Sequence, residues 1–122
     1  MWDVKIIDES KKILGLKWKG HVKKEEVQEV NKELEKLIKK IDATSFDLLV
    51  EMENIIAFPK ETQEKVVEHQ KWLLKNGMKR AAVVNNSATA KMQLERTAKE
   101  SEHKNEFHFS SFEEALKFLQ GP

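Results

Sequence analysis

Two stretches of the chain set polar side chains at what read as helix starts: Glu53 to Thr62 (ENIIAFPKET) and Asn85 to Thr89 (NNSAT). Unpaired N–H groups and the dipole of a helix N-terminus favour an anion or a phosphate there. Lys60, Glu61, Asn85 and Asn86 supply charge and amides, Thr62, Ser87 and Thr89 supply hydroxyls, and Ile56 and Phe58 supply apolar contact. Together these residues form the candidate partner- or ligand-binding set. A plainer role competes with recognition, because Ser87 and Thr89 at a helix start satisfy backbone donors simply by capping it.

Other reactive patterns are weak. The glycines are Gly15, Gly20, Gly77 and Gly121, and none falls in a strand-to-helix turn that would cradle a phosphate, so a nucleotide-binding enzyme is not expected. With no cysteine there is no disulfide framework, thiolate nucleophile or Cys-ligated zinc. His21, His69, His103 and His108 are dispersed, and Ser87 has no His and Asp partners in motif form. His69 reads as a surface or half-buried helix residue, since its neighbour Glu68 cannot share its helix face. No catalytic residue, metal site or cofactor is therefore expected.

Charge narrows the partners. Lys plus Arg total 22 against 21 Asp plus Glu, a balance unlike that of a dedicated nucleic-acid binder. Lys11, Lys12, Lys17, Lys19, Lys23 and Lys24 form a run without an acid among them. Such a run suits an anionic partner or membrane surface; equally, lysines on the wet face of a hairpin deter edge-to-edge pairing while Trp18 faces the core. A pair of exposed aromatics, Phe58 and Trp72, would mark an interaction surface.

These groups must be held by a scaffold, and hydrophobic period supplies it. At 122 residues the chain is expected to be a single domain, 1–122. Val4 to Ile7 and Ile13 to Lys19 alternate across a polar turn and read as a β-hairpin. Val22 to Ile41 switches to helical spacing through Val27, Val30, Leu34, Leu37, Ile38 and Ile41. Phe46 to Met52 is a strand, Pro59 opens a helix reaching Asn76, and Gly77 stops it. Lys79 to Asn85 is a strand, and Ser87 caps a helix over Ala88 to Ser101. Phe107 to Phe109 is a last strand, and Ser110 or Ser111 caps a helix through Leu119 with Glu113 or Glu114 in a capping box.

The order β-β-α-β-α-β-α-β-α implies a mixed five-stranded α/β sheet, parallel apart from the opening hairpin. Alternating strands place the helices mainly on one face. The other face is expected to be partly wet, with Ile7, Ile13, Leu49 and Val83 as scattered apolar positions. Binding sites in such sheets form beyond the carboxyl ends of the strands, where both polar stretches lie. The opening MWDVKIIDE lacks the pattern of a signal peptide and no apolar run approaches a membrane span, so a cytoplasmic protein without a transmembrane segment is expected.

The strand, loop and helix from Leu48 to Leu74, followed by Lys79-Arg80-Ala81-Ala82-Val83-Val84, resemble the STAS domain, closest to its divergent SpoIIAA-like branch. The resemblance covers nearly the whole chain in element order and implies the βα superhelix shared with CRAL-TRIO lipid-transfer domains. In the related anti-sigma-factor antagonists, a serine opening the helix after this strand is phosphorylated. Aligning Phe58 with the apolar residue before that turn makes Thr62 the candidate phosphoacceptor. Lys60 and Glu61 stand where Asp and Ser are expected, and the turn's glycine is missing.

The resemblance implies a non-catalytic regulatory or protein-interaction module with a protein partner; the sequence leaves a homodimer open. The alternative is a carrier of a small amphipathic or lipid-like ligand held between sheet and helices.

Overall fold

The computed structural model describes residues 1–121. Its elements are β1 (Trp2–Asp8), β2 (Ile13–Lys19), α1 (Lys24–Lys40), β3 (Phe46–Glu53), α2 (Lys60–Lys75), β4 (Met78–Val84), α3 (Ala88–Glu100), β5 (Glu106–Phe109) and α4 (Phe112–Gln120). This is the expected β-β-α-β-α-β-α-β-α order. The strands lie side by side as β1-β2-β3-β4-β5. Only β1 and β2 run antiparallel.

The opening hairpin turns because Asp8 accepts hydrogen bonds from the Ser10 hydroxyl (2.9 Å) and the Lys11 N–H (3.1 Å). Short side chains that bond the backbone ahead of them are what make such turns. In α1 the Glu26 carboxylate reaches back to the Lys23 N–H at 2.8 Å, satisfying a donor the helix leaves free. Gly77 takes a φ of +105°, packed against the Thr44 carbonyl, a position closed to any side chain.

Alternation on β2 and β3 sends Leu14, Leu16, Trp18, Leu48, Val50 and Met52 to one face, where Val27, Val30 and Leu34 of α1, Val66 and Leu73 of α2, and Ala90 and Leu94 of α3 cover them. Fully burying each such leucine or valine contributes about 1.5–3 kcal/mol. Helices thus lie mainly on one face, as expected.

Two details of the other face differ from expectation. Val83 belongs to the helix-covered core, register-paired with Val50, because Ala82 and not Val83 shares the face of Leu49. Nor is that face wet around Ile13 and Leu49, since Ala115 and Leu119 of α4 cross over and bury them with Ala82. β2 is moreover an interior strand, so its lysines guard no edge, although Trp18 does face the core.

Arg80 fastens α4 from below. Its guanidinium donates to both carboxylate oxygens of Asp47 (3.2 and 2.6 Å) and to the Leu119 carbonyl (3.1 Å). Asp47 is buried, and the fork geometry supplies the pairing that a buried carboxylate needs.

Candidate functional site

The candidate residues lie beyond the carboxyl ends of β3 and β4. Here the 54–59 loop meets the 85–87 loop. The Ser87 hydroxyl donates to the Ile56 carbonyl at 2.6 Å and accepts from the Ala90 N–H at 3.2 Å. It caps α3 and tethers the neighbouring loop with one group. Asn85 spends its amide locally: its Oδ1 accepts from the Ser87 N–H (3.0 Å) and its Nδ2 donates to the Ser87 carbonyl (3.2 Å).

Glutamines from both helices hold the other end of the first loop. The Phe58 N–H donates to Gln93 Oε1 at 2.7 Å, and its carbonyl accepts from Gln63 Nε2 at 2.9 Å and Gln93 Nε2 at 3.3 Å. The first loop is thus tied through the main chain of Ile56 and Phe58, and the second through that of Ser87. Ile56 stands 80% exposed between the buried Ile55 and Phe58. Ala57, Lys60, Glu61, Asn86 and Thr89 are exposed around it, and Asn85 and Ser87 are half-buried.

Two of the sequence-predicted residues are not on the rim. Phe58 is 4% exposed and packs in the main core, so it is an anchor of the loop rather than a contact surface. Thr62 is 1% exposed, and its hydroxyl donates to the Val22 carbonyl at 2.8 Å. That hydroxyl is spoken for and shielded, so the folded domain does not offer Thr62 as a phosphoacceptor. Helical spacing carries the signal for this placement: Thr62, Val66, His69 and Leu73 form one face of α2, and all are buried. No exposed Phe58–Trp72 pair forms; Trp72 is half-buried and borders a surface hollow with Gln28, Asn31, Lys32 and Glu35 of α1.

Beside the rim, α2 and α3 enclose a groove of about 470 Å³ lined by Lys60, Gln63, Glu64, Arg96, Thr97 and Glu100. Arg96 donates to Gln63 across it. Apart from Lys60, none of these residues stood out in the sequence, because charged positions on two separate helices carry no mark of facing each other.

The histidines also converge more than their spacing shows. His69 is 4% exposed, hydrogen-bonded through Nδ1 to Asn31 and edge-on to Trp18, with ring centroids 6.1 Å apart. Burial pushes its pKa down to about 4. The expected surface position is thus corrected, for the same reason as Thr62. His103 is buried too, with its pKa lowered by desolvation against the opposing pull of Glu106. Neither of its ring nitrogens has a hydrogen-bond partner among the described residues. Gln70 donates to Glu106 (3.5 Å), Glu106 meets His108 (3.1 Å), and the Ser101 hydroxyl donates to Gln70 Oε1 (3.0 Å).

His69, Gln70, His103 and Glu106 border an internal cavity of about 30 Å³ between the sheet and the helices. A space of that size takes one or two water-sized groups, whereas ligand pockets run to roughly 300–1,000 Å³. In this conformation the interior does not house the amphipathic ligand that the carrier reading requires. No group of three or more His, Asp or Glu side chains among the described residues is placed to hold a metal.

Residues 13–120 match the family model described as SpoIIAA-like, a span that takes in every element except β1. The chain belongs to the SpoIIAA-like family. No curated protein and no solved structure gives a match. In this SpoIIAA-like domain, no helix is long and apolar enough to cross a membrane.

Proposed function

We propose that this SpoIIAA-like domain is a non-catalytic regulatory module that binds a protein partner through the rim made by the 54–59 and 85–87 loops and the start of α2. One observation carries the reading: the Ser87–Ile56 hydrogen bond fuses two loops into a single fixed surface and leaves Ile56 standing out from it. An exposed isoleucine on a pinned backbone loses little conformational freedom on binding, so its burial converts efficiently into affinity. Lys60, Glu61, Asn86 and Thr89 surround it as a polar border, the arrangement of an apolar contact within a hydrophilic rim. The adjoining α2–α3 groove extends the surface with both signs of charge.

Regulation by charge at Thr62 is not part of this proposal, given its burial. Neither is cargo binding in the interior, given the cavity's size. The test is affinity capture with tagged wild-type domain against Ile56→Asp and Lys60→Glu. The expected result is a specific protein recovered by wild type and lost with Ile56→Asp. Equal recovery by all three baits contradicts the rim.

A further inference from the structure

The interior holds a polar cluster that the rim does not use. His69 and His103 border one cavity with Glu106, and His108 joins them through its contact with that carboxylate. Glu106 is already engaged, by His108 at 3.1 Å on one oxygen and by Gln70 at 3.5 Å on the other. His103 is only 5% exposed, and neither of its ring nitrogens finds a partner among the described residues.

The backbone explains the placement. α3 stops in a turn where Glu102 takes a φ of +62°, its N–H donates to the Lys99 carbonyl (3.2 Å), and the His103 N–H donates to the Ala98 carbonyl (2.8 Å). In such a stop the residue after the left-handed one normally supplies an apolar contact to the last turn of the helix. His103 occupies that apolar place, which suits an imidazole only while it is neutral. Glu102 is not the glycine that a left-handed position favours. The stop therefore leans on its side chains, His103 in the interior and the Ser101 hydroxyl donating to Gln70 Oε1 at 3.0 Å.

We infer that the connection from α3 to β5, residues 101–106, is an acid-released latch on the interior. Neutral His103 holds it shut, and a proton on that imidazole frees it, uncovering the cavity of about 30 Å³ and its apolar walls at Leu16, Trp18, Leu73 and Met78. The charges around His103 set the direction. α2 brings His69, a second place for a proton, and the neutral Gln70; β5 brings Glu106 and His108; the walls from β2, β3 and β4 carry no charge. Glu102 and Lys104 are exposed to water. Glu106 and the carbonyl end of α3 attract an imidazolium, but burial outweighs them and holds the pKa of His103 below its ordinary 6.5. Nor can one carboxylate, shared with His108, balance protons on His69 and His103 together. Because the folded pKa is the lowered one, the latch is fully closed above about pH 6.5 and loosens as pH falls below it. The connection is irregular and leads into a four-residue strand at the sheet edge, so it gives way before the central strands do.

Hydrogen exchange at about pH 7.5 and 5.5, corrected for intrinsic rates, reads the latch at the amides of Ser101, Glu102 and His103. Their protection is expected to fall about tenfold at the lower pH, to a level below that of the β2 and β3 amides in the same sample. The fall persists in His69→Gln and vanishes in His103→Leu, which puts an apolar side chain in the apolar place. An apolar fluorescent dye gains emission with the wild-type chain at the lower pH and not with His103→Leu. In the wild-type chain alone, the ring of His103 followed by NMR titrates over the range in which the three amides lose protection. Unchanged protection overturns the inference, as does a loss shared equally with the β2 and β3 amides or one that survives in His103→Leu. A ring titration displaced from the loss of protection overturns it too, and lost protection without dye binding overturns the uncovering of the interior.

Discussion

The hydroxyl of Ser87 donates to the carbonyl of Ile56, joining residues 31 positions apart in the chain at 2.6 Å. The same oxygen accepts from the Ala90 N–H, so a single side chain both starts α3 and fixes the loop ahead of α2. Local structure and tertiary geometry meet at this atom.

Ser87→Ala removes both bonds. A lost cap costs about 1 kcal/mol and a lost hydrogen bond about as much again, so urea denaturation is expected to show a loss of about 2 kcal/mol. Ser87→Asp keeps an acceptor for the cap but cannot donate to Ile56. It is expected to recover roughly half the loss, while amide exchange at Ile56 and Ala57 stays faster than in wild type.

Thr62→Val keeps the shape of the side chain and leaves the Val22 carbonyl without its 2.8 Å donor. The expected cost is about 1–2 kcal/mol. Thr62→Glu forces a carboxylate into a fully packed site and is expected to cost more than 3 kcal/mol, read as a lower denaturation midpoint. If Thr62→Glu were as stable as wild type, the buried placement of this residue would be contradicted.

His69 ties stability to pH. Its pKa is about 4 in the folded domain against an ordinary value of 6.5, so the unfolded chain binds the proton more readily. Its contribution is complete above about pH 6.5 and fades as pH falls toward 4, amounting to about 2 kcal/mol between pH 7.5 and 5. His103, also lowered by burial, acts in the same direction. Trp18 and Asn31 face His69, and neither titrates in this window to offset it. Denaturation midpoints at the two pH values are expected to differ in wild type and to draw together in His69→Gln.

Asp47 is left buried without its partner in Arg80→Met, with an expected cost of about 3 kcal/mol that is moderated by the partial exposure of Arg80. The double variant Asp47→Leu with Arg80→Met removes the stranded charge and is expected to regain most of that loss. Equal destabilisation by the single and double variants would show that the tether to the Leu119 carbonyl, rather than the ion pair, holds α4.

Much of the scaffold was legible from period alone. Alternation at Leu14, Leu16 and Trp18, helical spacing through Val27, Val30 and Leu34, and serines before two helices all have local physical causes. Ser87 and Ser111 do cap α3 and α4. What the pattern could not say was which way a residue at a junction turns. Phe58 sits in a loop, where an aromatic side chain can equally plug the core or face water, and only the docking of α2 and α3 decides it. Thr62 and His69 were hidden for another reason: polar side chains on an apolar stripe are easily read as breaks in it, although their spacing with Val66 and Leu73 places them inside. Val83 turned on a one-residue matter of strand phase, and α4 covered a face that alternation alone left open. The rim itself depended on contacts between segments distant in sequence, so its residue types were visible but the bond that unites them was not.

The most direct measurement is hydrogen exchange on the labelled domain with its captured partner bound. The account predicts slowed exchange concentrated at residues 54–61 and 85–89, with the β1 edge unaffected. Protection confined to β1, to the hairpin lysines or to the far end of the sheet near Lys79 would contradict it.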